Sequence, residues 1–388
     1  MTHILYRSPA LEVRHVPAGD GRRQVVTFDS YHEQPGVDRP GFGEAFFAGE
    51  NVGAIHILSH SNDWFQHTDI PEVLSIIRDV CGKSDRLLTY GSSMGGYAAL
   101  RFASALGAGA ALALSPQYSV DPRKAPFETR WASDRRRIRF IDSLEGAIQP
   151  VPLMVVAYDP SLPEDREHVH CLAREISELQ TLPLPFAGHP VGPFLQDVEL
   201  LRATVLDVLE GRFDAERYRL SARSQARHSP HWLANLAERH PRATGGRDIA
   251  LARRAVALAP DRPNLHDILA RRLAAAGHYA EAVEAHHKAI AIEPIVDYLW
   301  GLSKTLVASG DVAAALIVAE RMRALAPSVA GYHAWAAKLY EAQGDILSAL
   351  AAIEEAVRHD RTNLRYRSMA LGLRSKLQFR RLRALIRR

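Results

Sequence analysis

Cysteine is nearly missing from this chain of 388 residues, in which Cys81 and Cys171 are the only two. Two thiols cannot build a disulfide framework or a Cys-rich metal site, and such usage fits a reducing compartment. Long apolar runs are missing too. No stretch reaches the roughly 18 uninterrupted apolar residues of a membrane span. Residues Met1 to Arg14 hold neither an apolar signal core nor a small-residue cleavage site. A cytoplasmic location without a membrane span is therefore expected. The N-terminal half has no His-x-x-x-His or His-Glu-x-x-His pair on a predicted helix, no Gly-x-x-x-x-Gly-Lys loop and no dinucleotide fingerprint. Neither a metal nor a cofactor is expected, nor is a nucleic-acid partner.

What is present is the composition of an ordinary globular protein, 47% hydrophobic and 24% charged. Its length suggests two domains. The net charge of +4 conceals an asymmetry: residues 1–215 carry 20 Lys and Arg against 28 Asp and Glu, and residues 216–388 carry 28 against 16. Opposite charge on the halves suits docking of one on the other, or an acidic partner for the basic half.

Apolar runs at residues 4–17, 23–28, 52–58, 87–90, 111–114, 153–157 and 182–186 read as strands. Several are continuous enough to be buried on both faces of a parallel sheet. Helical patterns at 71–80, 95–106, 165–179 and 193–209 alternate with them, which predicts a doubly wound α/β domain over 1–215. A polar connector, a linker or in part a helix, is predicted at 216–228, and beyond it an Ala- and Arg-rich helical domain over 229–388.

Within the first domain, Tyr90-Gly91-Ser92-Ser93-Met94-Gly95-Gly96-Tyr97 places a Gly-x-Ser-x-Gly sequence between an apolar strand and an Ala-rich helix. This resembles the nucleophile elbow of the α/β-hydrolase superfamily. The resemblance implies that Ser93 is the nucleophile and that the Met94 amide at the helix start is one oxyanion donor. A serine hydroxyl needs a base, and the base an orienting acid. Superfamily order is nucleophile, acid, histidine. Asp159 follows the strand 153–157, and His189 follows the last strand, so these are the expected acid and base; Asp165 and Glu164 are the alternative acids. The second oxyanion amide is expected from the loop after strand 23–28, at Ser30 with Tyr31 next to it. That loop lacks the His-Gly motif common in esterases and lipases. The loop Ser59-His60-Ser61-Asn62-Asp63-Trp64 opens on the same sheet edge, either as a substrate contact or as a cap for the following helix.

Residues 117–150 form a lid-like insertion rich in cations and aromatics. Arg135, Arg136 and Arg137, with Tyr31, are candidate contacts for an acyl group on an anionic carrier or sugar. The alternative is a solvated basic surface.

In the helical domain Gly277, Gly310 and Gly344 recur, each followed by an Ala-rich helix, and Pro260, Pro294 and Pro327 recur at matching intervals. This resembles the tetratricopeptide repeat, in which Gly ends the first helix, Ala permits close helix contact and Pro stops the second. Clear repeats are expected at 263–295, 296–329 and 330–361, a degenerate one from Ser229, and a closing helix over 362–388. His286 and His287 fall inside a repeat and read as helix surface. Arg271, Lys304 and Lys338 share one repeat position, which in the tetratricopeptide family faces the concave groove, so they are expected to line it for a protein partner or for self-association. Three functions remain open: hydrolysis of a small or carrier-linked acyl ester, acyl transfer by the same triad, and a scaffold without catalysis.

Overall fold

The computed structural model describes residues 2–32, 36–240 and 245–386. The expected domain ranges also take in residues 1, 33–35, 241–244 and 387–388, which lie outside the described residues. The chain divides into two compact units, Met1–Asn235 and Leu236–Arg388.

Eight strands make one sheet in the first unit: β1 (His3–Arg7), β2 (Leu11–Val16), β3 (Arg23–Phe28), β4 (Gly53–Ser59), β5 (Arg86–Ser92), β6 (Ala110–Leu114), β7 (Leu153–Tyr158) and β8 (Gln180–Pro183). They lie in the order β1-β2-β4-β3-β5-β6-β7-β8. Strand β2 runs against both its neighbours, and the remaining pairs are parallel. The helices of this unit are α1 (Glu44–Gly49), α2 (Ile70–Cys81), α3 (Met94–Arg101), α4 (Ala103–Leu106), α5 (Ala132–Arg137), α6 (Pro163–Glu175), α7 (Gly192–Asp197), α8 (Leu201–Leu209) and α9 (Ala215–Gln225); after a short turn α10 (Pro230–Arg239) begins in this unit and ends in the second.

Successive strand residues point to opposite faces, so a strand apolar at every position fills two cores. Val26, Phe28, Ile55, Ile57, Ala111, Ala113, Met154 and Val156 pack on one face with Ile77 of α2 and Leu172 of α6. Val25, Ala54, Leu88, Leu112, Leu114, Val155 and Ala157 pack on the other with Phe194 of α7, Val205 of α8 and Tyr218 of α9.

Two sequence readings are corrected. The connector expected at 216–228 is mostly helix α9, and Tyr218, Ala222 and Ala226, spaced four apart, are buried in the second core. That burial binds the segment to the sheet, so the first unit extends past residue 215 to Asn235. The last strand ends at Pro183 rather than at Phe186, in a stretch where Pro183 and Pro185 lack the N–H that a ladder needs. Residues 184–188 are thereby released into the loop that carries His189.

The second unit is helical. After α11 (Arg247–Leu258) come the hairpins α12 (Pro263–Ala275) with α13 (Tyr279–Ile292), α14 (Val296–Ala308) with α15 (Val312–Leu325), and α16 (Ala330–Ala342) with α17 (Ile346–His359), then α18 (Leu364–Ile386). These match the three expected repeats and the closing helix. Each first helix ends at a left-handed glycine, with φ of 83° at Gly277, 90° at Gly310 and 81° at Gly344. The next amide reaches back five residues, His278 to Leu273, Asp311 to Leu306 and Asp345 to Tyr340, each at 2.9 Å. This is the Schellman closure that satisfies orphan carbonyls. Ala282, Ala289, Ala315, Ala319, Ala349 and Ala356 are buried where the helices meet.

Candidate active site

Ser93 stands between β5 and α3 at φ 52° and ψ −115°, a conformation that costs a non-glycine residue roughly 1–3 kcal/mol. The neighbouring glycines make the turn possible. A Cβ on Gly91 would run into the Gly95 carbonyl, and one on Gly95 would overlap the carbonyl oxygens of Phe28 and Asp29. The Ser93 N–H donates to Leu114 O at 2.8 Å, which fixes the tip to β6.

The Ser93 Oγ lies 2.9 Å from His189 Nε2. His189 Nδ1 lies 2.9 and 3.0 Å from the two carboxylate oxygens of Asp165. With its proton on Nδ1, the imidazole donates to Asp165 and leaves Nε2 to accept from the serine. Asp165, 2% exposed, also accepts from Arg130 Nη1 at 2.7 Å. Burial would raise its pKa, but hydrogen bonds and charge from His189 and Arg130 outweigh this and hold it below the ordinary carboxylate value.

Asp159 is therefore not the residue that meets the histidine. Its carboxylate is fully buried and accepts from the Ser161 N–H at 2.8 Å, the Ser161 hydroxyl at 2.6 Å, and the Phe186 and Gly188 N–H groups at 2.9 Å. It ties down the loop that presents His189. Asp165, one of the two alternative carboxylates, takes the place beside His189, from the first turn of α6, rather than its neighbour Glu164 on the same turn.

The candidate oxyanion amides come from two adjacent strand ends. Phe28 of β3 is paired in register with Gly91 of β5, so Ser30 and Ser93 each stand two residues past that pair. Met94 opens α3, where the N–H has no intrahelical acceptor.

The insertion does border the site, but not through the three arginines. Arg135 donates to Val120 O at 2.8 Å and to Ala125 O at 2.9 Å, which secures the insertion to itself. Arg137 donates to Asn62 O at 3.0 Å and to Asp134 at 2.9 Å, and Arg136 is exposed. The insertion instead supplies Arg130 and Trp131. The Trp131 ring centroid is 4.7 Å from that of Tyr31, 5.7 Å from that of Trp64 and 6.4 Å from that of His189, an aromatic wall beside that imidazole.

Beneath Asp165 a second buried set continues from Arg130. Arg130 clamps Glu128, and Glu128 meets His168 Nε2 at 3.0 Å. The Tyr118 N–H donates to His168 Nδ1 at 3.1 Å, so the proton of the neutral ring is on Nε2, facing Glu128. Burial would raise the Glu128 pKa, but His168 and Arg130 bring it down to about 2; burial keeps His168 below its ordinary value.

Sequence reasoning missed Gln117, whose side-chain amide donates to Ser93 Oγ at 3.1 Å. The available signal was position: it lies just past the C-terminal end of β6, the strand beside the one that leads to Ser93. The Ser59–Trp64 loop joins the same network, since Trp64 Nε1 donates to Gln117 Oε1 at 3.0 Å. Among the described residues no cluster of His, Cys, Asp and Glu could hold a metal ion, and no helix is long and apolar enough to cross a membrane.

In the repeats, the expected line of cations is uneven. Arg271 is held by Glu238 and, at 2.9 Å, by Asp267. Lys304 lies 5.6 Å over the Trp300 ring, which is 5.1 Å from the Trp335 ring, and Lys338 is exposed. His286 is not surface: it is fully buried, with Nε2 3.1 Å from Thr305 Oγ1.

No known family model matches the chain. The chain is similar to the TPR repeat-containing protein YpiA of Bacillus subtilis (strain 168), at 30% identity over 100 residues, or 26% of this chain and 24% of that protein. It thus spans about a quarter of the length of that relative. Similar solved structures include residues 41 to the end of MamA from Desulfovibrio magneticus RS-1 (18% identity, TM-score 0.35, 38% of this chain and 85% of that one). Another is a thermophilic tetratricopeptide protein of Thermus thermophilus (19% identity, TM-score 0.33, 45% and 96%). The chain is a sheet-based N-terminal unit followed by a helical solenoid consistent with tetratricopeptide repeats.

Proposed function

We propose that the N-terminal unit is a serine hydrolase of the α/β-hydrolase type that cleaves a carboxylic ester through an acyl-enzyme. The observation that carries this reading is the continuous chain Ser93 Oγ, His189 Nε2, His189 Nδ1, Asp165, closed at 2.9 Å at each junction and seated on a strained strand-to-helix turn. As Ser93 Oγ bonds to the ester carbonyl carbon, its proton passes to His189 Nε2. Asp165 stabilises the imidazolium, and the carbonyl oxygen, now anionic, faces the amides of Met94 and Ser30. The imidazolium protonates the departing alcohol, and water releases the acyl group by the reverse sequence. The aromatic wall of Tyr31, Trp64 and Trp131 supports an apolar or ring-bearing substrate.

A fluorophosphonate probe tests the reading without any guess at substrate. Wild-type protein should be labelled and should turn over short p-nitrophenyl esters, and Ser93→Ala should do neither. Full labelling of Ser93→Ala would end it.

The second reading, protein-partner binding by the repeats, is supported by the helical hairpins and by the similarity to a repeat protein. It is compatible with the first. If wild-type protein is unlabelled, partner binding remains as the function of the whole chain. Acyl transfer rather than hydrolysis would show as acyl release that rises with added alcohol acceptors.

A further inference from the structure

The hydrogen bonds around Ser93 include one that the triad does not require. We infer that Gln117 is a further catalytic residue, an amide donor aimed at the nucleophile oxygen and held in that orientation by the indole of Trp64. The inference rests on the hydrolase reading of Ser93.

Amide oxygen and nitrogen are alike in size, so the orientation of Gln117 must come from its partners. The indole N–H of Trp64 can only donate. At 3.0 Å from Gln117 it therefore faces Oε1, which turns Nε2 toward Ser93 Oγ at 3.1 Å. Gln117 is 1% exposed and Trp64 fully buried, so water does not compete for either bond. The indole is aimed by an unusual backbone: Trp64 and Phe65 both take positive φ, 51° and 57°. Asp63 supports that turn, accepting from the Phe65 N–H at 3.1 Å and from Ser59 Oγ at 3.3 Å. Two bulky residues in the left-handed region mark a site where local strain serves a purpose.

The serine hydroxyl has one proton and two lone pairs. His189 Nε2 takes the proton and Gln117 occupies a lone pair, so Oγ cannot point its hydrogen elsewhere. As the proton moves to Nε2, negative charge grows on Oγ and the bond from Gln117 becomes charge-assisted. It is stronger there than in the resting enzyme, which is the condition for accelerating the step. Once the Oγ–C bond forms, the oxygen is an ester oxygen and the bond weakens. In deacylation the Oγ–C bond breaks, charge returns to Oγ, and Gln117 stabilises it until His189 returns the proton.

The test is the labelling rate with a fluorophosphonate, together with kcat and KM for p-nitrophenyl acetate, in the full chain. Gln117→Ala should lower the labelling rate and kcat by roughly tenfold to a hundredfold, the effect of a lost bond to a charged group, with KM unchanged. Gln117→Glu, of nearly the same shape, should fall at least as far, because its carboxylate competes with His189 for the hydroxyl proton. Trp64→Phe keeps a ring but frees the amide to turn, and should give a partial loss at an unchanged KM. Thermal unfolding of each variant separates these effects from loss of fold. Wild-type labelling with an equal rate in Gln117→Ala overturns the assignment and leaves the hydrolase reading standing. A loss that tracks instability, with KM rising, overturns it as well. An unlabelled wild type removes both.

Discussion

In the N-terminal unit the buried charges are joined across long stretches of chain: Asp165 meets His189 24 residues on and Arg130 35 residues back, and Glu128 meets His168 at a separation of 40. In the C-terminal unit single pairs such as Arg271 with Glu238 also span the chain, but the bonds that recur from repeat to repeat are local. Asp311 accepts from the Ala314 N–H and Asp345 from the Ser348 N–H, each three residues on, and the glycine closures repeat the same turn three times. The first arrangement concentrates many elements on one point, so a single substitution there should remove one property completely. The second distributes stability over similar modules, so a single substitution should produce a small, graded loss.

The sharpest test of this contrast lies inside the N-terminal unit, between two buried aspartates. Asp165→Asn keeps the shape beside His189 but no longer holds the proton on Nδ1 or stabilises the imidazolium. Ester turnover should fall by roughly 10³- to 10⁴-fold. Asp159→Asn should act differently. An amide can keep its oxygen on the Ser161 N–H, the Ser161 hydroxyl and the Phe186 N–H, but then turns a donor toward the Gly188 N–H, costing roughly 1–3 kcal/mol of stability. Turnover by the folded fraction should be largely retained. Assays paired with thermal unfolding decide it, and the reverse pattern would restore Asp159 as the acid.

That pair also shows what could be read before any coordinates. The meeting of Ser93 with His189 was legible because each residue depends on a local pattern, a glycine-flanked turn or a loop after a strand. The carboxylate beside His189 was not, because the strand-end rule selects a place and says nothing about lone pairs. Asp159 is at the expected place with its lone pairs already engaged by backbone amides from the His189 loop. Gln117 carried no motif, and its role depends on an indole 53 residues away. The burial of helix α9 was hidden by its polar composition, which left only a partly helical connector legible, although Tyr218, Ala222 and Ala226 keep a helical spacing. Even spacing made the repeats legible, while the pairing of Arg271 with Glu238 across 33 residues was not.

The next effect is a dependence on pH that should belong mainly to the N-terminal unit. Both shifted groups below Asp165 act in the same direction. Glu128, at about 2 in the folded protein against an ordinary 4.5, gives its full stabilisation above pH 4.5 and loses it as pH falls toward 2, about 3 kcal/mol in all. His168 has its folded pKa below the ordinary 6.5, so protonation favours the unfolded chain once pH drops under that value. Calorimetry from pH 7 downward should show stability falling first through His168 and then through Glu128. The Glu128→Gln variant should be less stable at neutral pH and should lack the part of the decline below pH 4.5. A decline of equal size in variant and wild type would break the argument.

The smallest effect is expected in the repeats, where one substitution, Gly→Ala, is compared with the same change in the first unit. At Gly95 an added Cβ would overlap the carbonyl oxygens of Phe28 and Asp29, so the β5–α3 turn cannot form without moving β3. Gly95→Ala should abolish labelling of Ser93. At Gly310 an added Cβ meets no atom within 4 Å, so the only cost is holding a non-glycine residue at φ 90°. That cost is roughly 1–2 kcal/mol, reduced somewhat because alanine has fewer unfolded conformations to lose. Gly310→Ala should therefore lower the unfolding midpoint of the C-terminal unit by a few degrees and leave the labelling rate of Ser93 unchanged. A loss of labelling in Gly310→Ala as large as that in Asp165→Asn would mean that the repeats act on the serine site, and the division of roles between the units would fail.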